Sequence, residues 1–485
     1  MALIDRHLEL DFERPMLNYV HEGELPDGIN IEHDLELAMI SKGYEGTLQY
    51  WQGDAKIGST EGFSRKYFVD KLNAVSDILR AKLGSIDEDA VSGTLEFAEE
   101  IFDVYEGKET PHRTSGSFAF TAATRLQRND GSRFEAVDYR RETVGCFPIF
   151  KYLDSSSAQR AMVGMPPFIL DYYGKDSNGG GGVMVFSPLF LDLISDAGDL
   201  DKALTWAGNV ASETAWLAKE RADIRLLSLA ALLPKHTDYG RMFSYPGIDT
   251  TTGHGGTTWL IGKVVERAID DGRVRPDLEH KIGVLGVGGI GFAAADYILG
   301  VNPDAQVTIN DFNTARQNEV GELLRAKYGE NRILDAHSAE EVLRFGGVTV
   351  SAITRPIDLF KETSLRPGDL EGRVYADDSQ PAAVAAEQIE ALGGTHTGVI
   401  AQDDTEFGAV TMTRFNYGGL GPKEMNQAYG CCVEGAALIY GDAIDQRIDQ
   451  PVNGDMVRTV GEVCEEVGFS AAPLQTLKNG KAVSV

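Results

Sequence analysis

The segment from Lys281 to Asp311 constrains the fold most. Its residues predict, in order, a strand, a glycine turn, a helix and a second strand that ends at an acidic residue. A short apolar run precedes Gly286, Gly288 and Gly291, which have the spacing G-x-G-x-x-G. In a dinucleotide site these glycines allow a tight turn, close approach of the pyrophosphate, and close packing of helix on strand. Asp311 follows at the spacing expected of a ribose-binding acid, about 20 residues. The sequence therefore predicts a dinucleotide-binding unit.

Strand-like and helical stretches alternate after this motif, with further strands predicted over 348–353 and 373–376. We therefore predict an α/β fold, a Rossmann-type doubly wound parallel sheet with a helical substrate region and an additional N-terminal α+β domain. A glycine-rich segment, 176–182, suggests a linker. The predicted domains are an α+β domain of unknown role (1–178), a helical substrate region (183–270), an NAD-binding Rossmann domain (271–420) and C-terminal helices that pack back on the substrate region (421–485).

Local patterns predict the remaining elements. Turn residues at 129–131 indicate a hairpin between strands over 117–125 and 134–140, and a further strand is predicted over 143–153. Apolar residues at helical spacing predict helices over 67–83, 91–105, 189–194, 200–221, 226–233, 258–270, 424–440 and 455–467.

Composition excludes several classes of partner. The chain has 45 basic and 74 acidic residues and a net charge of −29, which argues against nucleic acid and anionic membranes as partners. No apolar run is long enough to span a membrane, and acids near the start argue against an export signal. We expect a cytoplasmic protein. The four cysteines, which lack metal-ligand spacing, are expected to be thiols without a metal: Cys146, Cys431, Cys432 and Cys464.

The cofactor site is predicted from the glycine motif and the strand ends. Asp311 would accept hydrogen bonds from a free ribose 2′-OH and repel a 2′-phosphate, so NAD is favoured over NADP. Arg316 is close enough in sequence for NADP to remain an alternative. Asp377 and Asp378 end another strand and either face the ligand edge or cap a helix, with the cap favoured for Asp378. The predicted cofactor-binding residues are Gly286, Gly288, Gly289, Ile290, Gly291, Asp311, Phe312, Asn313, Ile353 and Thr354.

Three further segments lie in a recognisable order around the glycine motif. They are TTG at 251–253 with the helix after it, YGCCVEGAALIYG at 429–441, and 455–474 with its Val-Gly-Phe turn. Together with the motif they resemble the long-chain acyl-acyl-carrier-protein reductases, which form fatty aldehydes, over residues 183–485. The resemblance matches Cys432 and Glu434 to that family's Cys-x-Ala-Glu helix. It implies an acyl substrate and a carrier protein as partner.

The departures from this family concern its catalytic residues. The family carries T-T-G-N-x-H-T-A-Y-x-I-C-R, whose cysteine takes the acyl group as a thioester, whereas residues 251–263 read TTGHGGTTWLIGK. The cysteine, histidine and arginine positions are Gly262, Gly256 and Lys263. Glycine offers no nucleophile, so we do not expect an acyl-enzyme at residue 262.

We predict His254 and Lys263 as catalytic side chains, in a substrate loop that includes Thr252, Gly253 and Thr257. An equally weighted alternative makes His254 a turn histidine that bonds its own backbone.

Three functions follow as hypotheses. The leading one is an NAD(H)-dependent oxidoreductase that transfers hydride directly to or from a carbonyl, imine or alcohol carbon, with a small-molecule or acyl substrate. The second is an acyl-thioester reductase that forms an aldehyde, either without a covalent intermediate or with Cys432 as nucleophile. The third is a dinucleotide-binding regulatory or scaffold protein without catalysis. For each we expect a homo-oligomer.

Overall fold

Two mainly parallel sheets follow one another along the chain. The structure, a computed structural model, describes residues 28–44, 63–108, 118–122, 147–174, 182–189, 200–230, 233–353, 355–379, 382–406, 408–411, 423–478 and 481–485. The described helices are α1 (Glu32–Ser41), α2 (Arg65–Leu83), α3 (Glu88–Tyr105), α4 (Ser155–Met162), α5 (Leu200–Ala222), α6 (Leu233–His236), α7 (His254–Asp270), α8 (Gly289–Val301), α9 (Thr314–Tyr328), α10 (Ala339–Phe345), α11 (Leu359–Glu362), α12 (Ala386–Ala391), α13 (Gly430–Tyr440) and α14 (Gly454–Val467).

The described strands fall into four sheets. They are β1 (Phe118–Ala122), β2 (Phe168–Tyr172), β3 (Val183–Phe186), β4 (Leu226–Leu229), β5 (Asp249–Thr251), β6 (Lys281–Leu285), β7 (Gln306–Asn310), β8 (Ile333–Asp335), β9 (Val348–Ser351), β10 (Val374–Asp377), β11 (Thr395–Gly398), β12 (Ala401–Asp403), β13 (Gln427–Ala428), β14 (Phe469–Ala471), β15 (Gln475–Lys478) and β16 (Lys481–Ser484).

The second large sheet has six strands, all parallel, in the order β11-β10-β9-β6-β7-β8. Strands β9 and β10 are buried at every position, as expected of a parallel sheet covered on both faces. The strand order reverses beside β6, which is the switch point where such sheets bind ligands. The predicted α/β fold of Rossmann type is confirmed, including the two strands predicted near 348 and 373.

The first sheet has the order β2-β3-β1-β4-β5, with β2 as its antiparallel edge. It takes strands from both sides of the boundary predicted at 178–183, and one apolar core includes side chains from both sides. The N-terminal part and the region up to 270 therefore share a sheet. The predicted hairpin also differs, because β1 pairs in parallel with β3 and β4, while 134–140 lies outside the described residues.

Three local predictions were wrong. The helix predicted over 226–233 is the strand Leu226–Leu229, whose four residues are all buried; a short, fully apolar run does not distinguish strand from helix. The strand predicted near 150 is a 3₁₀ helix, Pro148–Tyr152, because proline suits a first helical turn and lacks a donor for a sheet. The helix predicted from 424 begins at Gly430, after the short strand β13.

Helices α7, α13 and α14 form a layer that joins the two sheets, and glycines set their spacing. A Cβ atom on Gly430 would lie 2.5 Å from Thr257 Cα and 2.6 Å from Gly256 O, both backbone atoms. A Cβ on Gly262 would lie 2.5 Å from Tyr297 Cε1 of α8. These contacts are possible only without side chains.

Among the described residues, no helix is both long and apolar enough to cross a membrane.

We predict that Gly430→Ala lowers the free energy of unfolding by at least about 2 kcal/mol, because its methyl group would meet backbone that cannot move independently. Gly208 of α5 is the matched control, since its Cβ would meet no heavy atom within 4 Å. There the same substitution should be neutral or stabilise by up to about 1 kcal/mol, through helix propensity. Chemical denaturation of both variants measures this, and an unchanged midpoint for Gly430→Ala would contradict the packing described.

Candidate functional site

The glycine loop between β6 and α8 has the shape that a pyrophosphate requires. Gly286 has a φ of +81°, and a Cβ on Gly291 would lie 1.7 Å from Gly286 O, so neither position accepts a side chain. Gly288, by contrast, is exposed and its Cβ would meet no heavy atom within 4 Å. No side chain caps the start of α8, which leaves its first N–H groups to an anion.

Asp311 is fixed against this loop at the end of β7. Its Oδ2 accepts a hydrogen bond from Val287 N at 2.7 Å, and its Oδ1 accepts one from Asn313 N at 2.8 Å. Each carboxylate oxygen can accept a second bond, so both remain able to meet ribose hydroxyls. Asn313 caps α9 by accepting from Arg316 N.

Aromatic and cationic groups border Asp311. Phe312 is 52% exposed, and the Arg355 guanidinium carbon lies 4.5 Å from the centre of its ring. Arg316 donates from Nε to Val287 O at 3.2 Å. A flat ring beside a guanidinium plane suits stacking of an adenine. Ile353 contacts the loop, since its Cγ2 would lie 2.5 Å from a Cβ on Gly286; Thr354 lies outside the described residues.

The predicted substrate loop lies where β4, β5 and α13 meet. A Cβ on Gly253 would be 2.5 Å from Leu229 O and 2.6 Å from Cys431 Cβ, and Ser228 Oγ donates to Cys431 O at 2.6 Å. His254, the first residue of α7, follows directly. The structure therefore brings the His254 loop to the start of α13.

Glu434, which the sequence identified only through the family resemblance, holds this loop. Its carboxylate is fully buried and accepts from the Thr251 hydroxyl, from Gly253 N at 3.2 Å and from Gly256 N at 2.8 Å. Burial raises the pKa of Glu434, and these hydrogen bonds oppose that rise. Gly256, which stands at the histidine position of the family that the sequence resembles, thus serves as a backbone donor.

The two predicted catalytic side chains lie in different surroundings. Burial lowers the pKa of His254 to about 4, so its imidazole is neutral at physiological pH. Lys263 lies further along α7, where its ammonium pairs with Glu266 at 2.9 Å and Glu465 at 2.8 Å. Those carboxylates hold the pKa of Lys263 above its usual range. Lys263 is thus placed in surface ion pairs toward α14, away from the start of α7.

The end of β10 presents two acids with different roles. Asp377 accepts from Ser379 N at 2.9 Å and Ala383 N at 2.7 Å and so fixes the loop after β10. The helix cap favoured for Asp378 is not formed, because the next described helix, α12, begins after Ala385 without a side-chain cap. The Asp378 side chain has no hydrogen bond or ion pair among the described residues. Its charge adds to burial in raising the pKa of the Cys431 thiol to about 12, so the two side chains lie within electrostatic range of each other. Burial likewise raises the pKa of Cys432.

Within the described ranges, no group of His, Cys, Asp and Glu could hold a metal ion.

No family model and no curated protein matches this chain. Among solved structures, an imine reductase from Bacillus cereus BAG3X2 is 18% identical over 26% of this chain and 44% of its own, with a TM-score of 0.19. The chain thus spans under half of that enzyme. Quinate dehydrogenase from Corynebacterium glutamicum in complex with NAD is 16% identical over 73% of this chain and 99% of its own, with a TM-score of 0.30. At these values the likeness carries no conclusion about this chain.

We predict that Gly288→Val abolishes binding of nicotinamide dinucleotides without unfolding the protein, because the isopropyl group would fill the open space above the loop. Gly208→Val, which places the same group on α5 where a Cβ has open space, should leave binding unchanged. Fluorescence titration with NADH and thermal melting of both variants measure the two effects. Normal affinity in a normally folded Gly288→Val variant would show that this loop is not the site.

Proposed function

We propose that this protein is an NAD(H)-dependent oxidoreductase that transfers hydride directly to or from a carbonyl, imine or alcohol carbon. The observation that carries the proposal is a glycine loop and an acid at the carboxyl edge of one sheet, together with a histidine loop at the carboxyl edge of the other. The glycine loop and Asp311 lie on the carboxyl edge of the six-stranded sheet, and the His254 loop lies on the carboxyl edge of the five-stranded sheet. Asp378, which follows β10 of the first sheet, lies within electrostatic range of Cys431, which contacts the His254 loop. When bound, NAD(H) supplies or accepts the hydride.

Packing at the lost family positions supports a reaction without an acyl-enzyme. Gly262 lies against Tyr297 and Gly256 against Gly430, so neither position has room for the family's cysteine or histidine. The remaining thiols near the loop belong to Cys431 and Cys432, and burial keeps both protonated. A thiol is a far weaker nucleophile than a thiolate.

His254 is proposed to orient the substrate. A neutral imidazole at a helix N-terminus donates an N–H to a carbonyl oxygen and polarises it without carrying a charge. The neutral state follows from burial of the ring. Lys263, given its two ion pairs, is proposed to act on the substrate only if those pairs open.

Acyl-thioester reduction remains a second candidate, and one observation favours it. The two segments that carry the family resemblance, TTG at 251–253 and the helix α13, meet through the hydrogen bonds of Glu434. A shared scaffold of this kind would present an acyl thioester to the same cleft. The regulatory or scaffold hypothesis predicts dinucleotide binding with no turnover of any carbonyl, imine or alcohol.

We predict that the protein binds NADH more tightly than NADPH, because the Asp311 carboxylate accepts ribose hydroxyls and repels a phosphate dianion. Asp311→Ser should weaken NADH binding roughly tenfold while NADPH binding changes less, since a charged acceptor is lost. Asp304→Ser, at an exposed position before β7, is the control. Titrations with both cofactors test this, and tighter NADPH binding by the unchanged protein would refute the NAD preference.

We also predict that no covalent acyl adduct forms on incubation with an acyl thioester, as measured by intact mass. Replacing Cys431 and Cys432 by alanine should leave turnover within roughly tenfold, about 1.4 kcal/mol in the barrier. His254→Ala should slow turnover about a hundredfold, because an oriented donor is lost. An adduct mapped to Cys432, with activity lost in the alanine variant, would restore the thioester mechanism at a relocated nucleophile.

A further inference from the structure

The proton that accompanies hydride transfer needs a source in the cleft. We propose that Asp378 is that source: its carboxyl group holds the proton at the nicotinamide end of the cleft and gives it to the substrate oxygen or nitrogen. This inference rests on the proposed function and adds a catalytic residue to it.

The position of Asp378 follows from the sheet. Its N–H donates to Ser351 O at 3.0 Å, and the residues after Ser351 lie against the glycine loop, where Ile353 meets Gly286. Strand β10 is two strands from β6, or about 10 Å at the usual strand spacing. With its adenosine beside Asp311 on one side of β6, a bound dinucleotide extends its nicotinamide half over β9 and β10 on the other.

The surroundings of Asp378 favour the protonated form of its carboxyl group. The residue is half-buried, and its side chain has neither a hydrogen bond nor an ion pair with a described residue. Burial raises its pKa well above the ordinary aspartate value, and the charge of Asp377 adds to the rise. The titratable groups within electrostatic range of Asp378 are the carboxylate of the preceding residue, Asp377, and the Cys431 thiol on α13. No described cation opposes the shift.

Cys431 and the His254 loop form the other side of the proposed cleft. Cys431, which lies within electrostatic range of Asp378, contacts Gly253, the residue before His254. A carbonyl or imine group held between these elements has a proton donor on one side and the His254 loop on the other. When its carbon takes the hydride, the π electron pair moves to the oxygen or nitrogen, which takes the proton from Asp378. The carboxylate left behind regains a proton from water, and alcohol oxidation follows the reverse order.

Proton release on cofactor binding tests this placement independently of turnover. The nicotinamide ring of NAD⁺ is positively charged and that of NADH is neutral, so only NAD⁺ favours the Asp378 carboxylate. Calorimetric titration in buffers of different ionisation enthalpy, at neutral and mildly alkaline pH, counts the protons. We expect NAD⁺ to release up to about one proton more than NADH does. Protonation changes at the shared phosphates cancel in this difference, and His254 is already neutral.

Variants identify the side chain that releases the proton when NAD⁺ binds. Asp378→Asn should abolish the difference between NAD⁺ and NADH and keep NADH affinity within about threefold. The exposed control Asp304→Asn and the variant Cys431→Ala should both retain the difference. Loss of the difference in Cys431→Ala, with retention in Asp378→Asn, would assign the proton to the thiol and overturn the proposal.

The unchanged protein gives a second, independent test in case Asp378→Asn does not fold. Tight binding of both cofactors without any difference in proton release would overturn the role of Asp378 and leave the oxidoreductase proposal standing. Failure of both cofactors to bind would instead refute the proposed function, and the role of Asp378 with it.

Discussion

The buried carboxylate of Glu434 fixes helix α13 to the His254 loop. It reaches from α13, which follows the six-stranded sheet, to Thr251, Gly253 and Gly256, which end the five-stranded sheet and begin α7. Desolvation of such a carboxylate costs several kcal/mol, and charge-assisted hydrogen bonds together with the helix N-terminus offset that cost. The position of the His254 loop relative to α13 depends on this interaction.

Glycines make that interaction possible. Because Gly256 and Gly430 lack side chains, the first turns of α7 and α13 approach to backbone contact, which brings Glu434 within reach of the loop N–H groups. Residues 256 and 262 are the positions at which the resembling family carries its catalytic histidine and cysteine. In this chain the same positions serve helix packing, so the proposed chemistry relies on other residues, His254 and Asp378.

The nucleotide-binding sheet could be predicted from the sequence because its signals are local: Gly286, Gly288 and Gly291 act within one turn, and an apolar run marks each buried strand. The five-stranded sheet could not be predicted, because its parallel strands pair with strands that are distant in the sequence. In addition, the apolar run at 226–229 is too short for its hydrophobic periodicity to distinguish a strand from a helix. The choice between the two roles considered for Asp378 could not be made from the sequence for a similar reason. Whether an acid caps a helix or faces a ligand depends on neighbours such as Ala383 and Cys431, which its own sequence context does not reveal.

The order of elements along the chain bears on how this protein is made. Helix α7 precedes the six-stranded sheet, whereas its partners α13 and α14 follow it, close to the C-terminus. During synthesis the first sheet and α7 leave the ribosome long before Glu434 does, and domains generally fold from the N-terminal end first. The His254 loop therefore acquires its final form only after α13 has been synthesised. Until then the apolar face of α7 is a surface that a chaperone can bind.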